Sequence, residues 1–120
     1  MFQFMRGITL GAGMFVDCGA TFAEDIESAN YVMRGCRSFV AAIVTAQPPR
    51  NSVDAFLADR CLGIVDTISD TADVCGPADV TSGQVASVVV KYIDERPTRM
   101  HEKFIVLARE ALQAAWPCRN

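Results

Sequence analysis

From Ala29 onward, apolar residues recur at every third or fourth position, and the recurrence breaks at three places rich in proline or small polar residues. That period is the signature of helices that each bury one face. Ser28 to Thr45 carries Ala29, Val32, Met33, Cys36, Val40 and Ile43 as one stripe. It stops at Gln47-Pro48-Pro49-Arg50-Asn51-Ser52, a breaker followed by two N-cap residue types. The second stripe is Val53, Leu57, Cys61, Ile64 and Ile68, and Asp-Val-Cys-Gly-Pro at 73–77 is expected to end its helix. Thr81-Ser82-Gly83-Gln84 then reads as a capping box, with a hydroxyl at the N-cap and an amide side chain three residues later. The helix it opens shows Val85, Val88, Val89 and Tyr92 on one face, although the run Val88-Val89-Val90 also suits a strand. Arg96-Pro97-Thr98 makes a turn, and a last helix follows with Met100, Phe104, Leu107, Ala108, Ala111 and Ala115 inward. Trp116-Pro117 stops it.

Before these stripes the chain has another character. Arg6 is followed by a short apolar run from Ile8 to Val16, and Ala20-Thr21-Phe22-Ala23 offers small residues for cleavage. Residues 1–23 are therefore expected to be a secretory signal peptide, leaving 24–120 as one small helical domain. The apolar run is too short to span a bilayer, which takes about 20 residues.

Export changes the meaning of the cysteines. Of five, Cys18 falls in the leader and four remain, an even number in an oxidising compartment, which implies disulfides. Four cysteines allow three connectivities. Cys36 and Cys61 lie symmetrically about Pro48-Pro49, and Cys75 and Cys118 about Arg96-Pro97. In an antiparallel helical hairpin, positions equidistant from the turn come level, as a Cα–Cα limit of roughly 7 Å requires. The mirror selects Cys36–Cys61 and Cys75–Cys118, without excluding the other two pairings. Cys36 and Cys61 also share their helices' apolar seams, whereas Cys75 and Cys118 lie just outside helices. The fold class is thus all-α: a small bundle of about four helices, two antiparallel hairpins, held by two disulfides.

Charge and chemistry narrow the function by exclusion. A net charge of −3 argues against nucleic acid or an anionic membrane as partner. His101 is the only histidine, expected on the surface of the last helix's first turn, so a zinc site would have to draw on cysteines already paired. Gly83 in its capping box is no phosphate loop. No catalytic set, metal site or cofactor is expected. Asp59, Asp66, Asp70 and Asp73 fall at spacings that put them on one helical face, opposite the Val53–Ile68 stripe. That face reads either as a solvated surface or as an acidic docking surface for a basic partner. Trp116 has two readings as well, a lid on the core or a binding anchor.

The C-terminal half carries a recognisable order: Cys75-Gly76-Pro77, Val80-Thr81-Ser82-Gly83-Gln84, Val88-Val89-Val90-Lys91-Tyr92, Arg96-Pro97, Met100-His101 and Ala111-Leu112-Gln113-Ala114-Ala115-Trp116-Pro117-Cys118. With Gly35-Cys36 and Cys61-Leu62-Gly63-Ile64-Val65-Asp66, it resembles the Rap/Tai family of periplasmic immunity proteins associated with type VI secretion. The resemblance implies a helical, often dimeric protein without enzymatic activity. It implies that the partner is a secreted amidase effector that cuts peptidoglycan peptides, held in the periplasm with its active site blocked. The matching residues are those of disulfides, caps and turns, so no inhibitory contact is carried over. An alternative binding function is that of a periplasmic acid-stress chaperone, which would protect an aggregating client at low pH.

Overall fold

The computed structural model describes residues 25–119. The expected leader and Cys18 lie outside the described residues. Four α-helices follow one another: α1 (Ala29–Thr45), α2 (Ser52–Ser69), α3 (Ser82–Asp94) and α4 (Phe104–Ala115). A single 3-10 turn, Pro97–Arg99, joins α3 to α4, and no strand occurs among the described residues. The run Val88-Val89-Val90 is helical, because its neighbours place Val85, Val89 and Ile93 together against the core.

The first three helices start where a side chain takes up a free backbone amide, whereas α4 has no side-chain cap. Ser28 caps α1 by accepting from the Tyr31 amide, and Asn51 caps α2 by accepting from the Asp54 amide. The capping box of α3 is complete: Thr81 Oγ1 accepts from Gln84 N at 3.2 Å, and Thr81 N donates to Gln84 Oε1 at 2.8 Å. α1 ends on Ala46, which adopts a left-handed conformation at φ 54° without being glycine.

α1 and α2 form the first hairpin and α3 and α4 the second, with both hairpins closing on one core. Phe104, Met33, Ile93, Leu107 and Leu112 are its largest fully buried side chains. Both disulfides form, Cys36–Cys61 with Cα atoms 5.2 Å apart and Cys75–Cys118 with 5.0 Å. The first lies wholly within the core; Cys75 of the second is exposed. Gly35 sits one residue before Cys36, so close to the backbone of Leu57 that a Cβ there would overlap the Leu57 carbonyl. Glycine at this position lets the two helices approach far enough for the bridge to close.

Three expected details differ. Ile43 and Val53 belong to the inner stripes by spacing, yet they are 51% and 55% exposed. Both lie toward the Pro48-Pro49 end of the first hairpin, where Ile43 reaches only the start of α3, near Gly83, across an open groove. α2 ends at Ser69, short of 73–77, because Ser69 and Thr71 hydroxyls donate to the Asp66 and Ile68 carbonyls and close the last turn. α4 begins only at Phe104, so exposed His101 lies in the connection and Met100 precedes the helix, while Ala115 at its end is exposed. The backbone of the connection is engaged elsewhere: Met100 O and Glu102 O accept from the first amides of α1, Asn30 N and Ala29 N, at 2.8 and 2.9 Å.

Candidate functional site

All four cysteines of the described chain are in disulfides. No group of three His, Cys, Asp or Glu is placed to hold a metal among the described residues.

The four aspartates of the expected acidic face separate. Asp66 stays on α2, and Asp70 and Asp73 lie past the helix end. Asp66 and Asp70 line one cleft of about 450 Å³, between the end of α2, the 74–80 loop and the start of α3. Ser82 Oγ donates to Asp66 at 3.2 Å, and neither Asp66 nor Asp70 has an ion-pair partner among the described residues. Asp59 belongs to a shallow groove with Gly63, Ile64 and Ile105. Asp73 turns to α4, where it accepts from Gln113 Nε2 at 2.8 Å and lies 4.0 Å from Arg109. Its carboxyl is held below its ordinary value, first by the Thr71 hydroxyl and its own backbone amide, then by Arg109 and Gln113. The Thr71 hydroxyl proton is directed at the Ile68 carbonyl at 2.6 Å, so Gln113 is the firmer partner of Asp73.

Trp116 is half-buried and packs against the core, its ring in contact range of a Cβ placed at Gly76. It is a lid, and its edges also form walls. One edge lines the acidic cleft. Another lines a second groove of about 470 Å³ between the end of α1 and the start of α3, formed with Val40, Ile43, Val44 and Val88. The two recesses thus adjoin at Trp116. Val44 is 78% exposed on the rim of this groove, the highest value for any large apolar residue described.

Periodicity could not find this groove. Ile43 fits an inward stripe by spacing, which does not show that its side chain stands at an open groove beside α3. Phe56, 67% exposed on α2, and Ile105 and Val106 on α4 are further apolar positions at the surface. Phe56 sits off the Val53–Ile68 stripe, which is the one sequence mark that could have singled it out.

The Arg99 cluster is the densest polar network. Arg99 donates to both Glu102 and Glu110, with its shortest contacts at 2.6 and 2.7 Å. Tyr92 Oη donates to Glu110, and the Arg96 guanidinium lies 3.6 Å from the Tyr92 ring centre. Hydrogen bonds from Arg99 hold both Glu102 and Glu110 below the ordinary carboxylate value. The network ties the 97–103 connection to α4 and to the end of α3, a structural role.

The family model for Rap1a immunity proteins matches residues 12–118. Comparisons with curated proteins and with solved structures give no match.

Proposed function

The chain belongs to the Rap1a immunity protein family, which makes it an immunity protein against a secreted effector, and from that premise we propose that it acts in the periplasm by binding and inhibiting a peptidoglycan amidase delivered by type VI secretion. Residues 1–23 serve as the leader and 24–120 as the inhibitory domain. The family match over nearly the whole chain is the observation that carries this reading. Two disulfides support an oxidising location. No helix of the described residues is long and apolar enough to cross a membrane. Inhibition is by occupancy, so the protein carries no catalytic residues and requires no cofactor. The acidic residues Asp59, Asp66, Asp70 and Asp73 contribute to partner attraction, and the chain pairs as a homodimer in keeping with the family resemblance.

The test is periplasmic co-expression of the full chain with a panel of secreted peptidoglycan amidases in a sensitive bacterial host. Restored growth with an amidase, matched by tight one-to-one binding of the purified pair, is the expected result. Neutralisation of none of the panel, with protection of an aggregating client at acidic pH, would replace this reading with the chaperone one.

A further inference from the structure

We infer that the effector is bound at the joint recess around Trp116, through an apolar side chain seated between α1 and α3 and an adjacent basic side chain facing Asp66 and Asp70. This rests on the immunity reading above and names the surface and the chemistry that reading leaves open.

The recess has the composition of a binding centre with a polar rim. Its apolar part is made by Val40, Ile43, Val44, Val88 and Trp116. Ile43 and Val44 remain 51% and 78% exposed, and among the exposed large apolar residues these two adjoin a cleft whose carboxylates are unpaired among the described residues. Leaving such side chains in water forgoes roughly 25 cal/mol for each Å² that burial would remove from solvent. Gly83 forms part of the groove wall, and a Cβ there would come within 2.9 Å of the end of Ile43. The polar part follows without a gap, because Trp116 lines both recesses. Asp66 and Asp70 carry no ion-pair partner among the described residues, whereas Asp54, Asp73 and Asp94 all face an arginine.

Charge decides between the possible occupants. A second copy meeting this patch across a two-fold axis would set Asp66 and Asp70 against their own equivalents. Like charges brought face to face oppose association, and the chain as a whole is already at −3. A partner that brings lysine or arginine beside an apolar side chain satisfies both halves of the recess. The occupant is therefore a basic, apolar-tipped segment of the effector, not another immunity chain.

The probe is a secreted peptidoglycan amidase that the wild-type chain neutralises on co-expression. Binding is measured by calorimetry for the wild type, Val44→Asp, Asp66→Asn/Asp70→Asn, and the control Ile105→Asp/Val106→Asp on the exposed face of α4. Val44→Asp should weaken binding on the order of 30-fold, as for the loss of a buried hot-spot contact. The double asparagine variant should weaken it about tenfold at low salt and flatten the salt dependence seen for wild type. The control should bind as wild type, and all variants should melt close to it, since every substituted side chain except the half-buried Asp66 is exposed.

If Val44→Asp and the double asparagine variant both bind as wild type, the recess is not the site although the immunity reading stands. Loss of binding only in the α4 control would move the site to that face. A change from dimer to monomer on Val44→Asp, with effector affinity intact, would make the occupant a second copy and overturn the inference. Failure of the wild-type chain to neutralise any amidase removes the functional premise itself, and this inference with it.

Discussion

Gly35 and Gly63 lie in facing helices of one hairpin and have opposite surroundings. Around Gly63 nothing stands within 4 Å of where a Cβ would be, so Gly63→Ala should raise stability by about 0.5–1 kcal/mol through helix propensity alone. Gly35→Ala must force the Leu57 backbone away beside a buried disulfide, and should cost about 2 kcal/mol or more. Urea denaturation midpoints compare the two directly, and a shift of the same sign for both would contradict the packing described. The sequence spoke unevenly at this scale. Cys36, Leu57 and Val89 were legible as inward from spacing, since each has helical partners above and below it on its stripe. Ile43 and Val53 have the same spacing but are left half-exposed, Ile43 at an open groove beside α3, and a periodic pattern carries no information about where the neighbours stop. The Trp116 recess was hidden for the same reason: its walls come from α1, α3 and the chain after α4.

At the scale of elements, the connection between α3 and α4 is held by charge. Hydrogen bonds from Arg99 lower the pKa of Glu102 and Glu110 below their ordinary 4.5. A carboxylate whose folded value is lowered contributes stability that is present above the unfolded value and lost as pH falls through the folded one. Wild type should therefore lose stability as pH drops below about 4.5, and Arg99→Ala should show a shallower acid-side decline in thermal melts across pH 3 to 6. Equal acid slopes would deny the network its role. Helix starts that rest on one local motif were readable in advance, as Thr81 and Gln84 show. The start of α4 was not, because it depends on Arg99 reaching eleven residues ahead to Glu110 and on α1 using the carbonyls of Met100 and Glu102. Those partners are distant in sequence, so turn residues such as Pro97 located the break without giving its length.

Across the whole molecule, two covalent links of different accessibility divide the labour of stabilisation. Cys36–Cys61 is 0% exposed and Cys75 is exposed, so mild reductant should open Cys75–Cys118 first. Alkylation and peptide mapping would show that order, and serine replacement of either pair should cost about 2–5 kcal/mol. The mirror spacing of the cysteines made this architecture legible, because a hairpin turns sequence symmetry into spatial register. Partner identity was not legible in that way, since a binding surface is assembled from residues with no common period. One further property follows from the amides of Ala29 and Asn30, which end on the carbonyls of Glu102 and Met100, while Phe104 N returns to Glu27 O. The first helix is sealed by the segment that leads into the last. During synthesis, the leading amides of α1 thus lack these partners until some seventy further residues have emerged, so closing this end of the domain joins its first and last helices. Amide hydrogen exchange should register this as a single opening unit, with Ala29, Asn30 and Phe104 losing protection together.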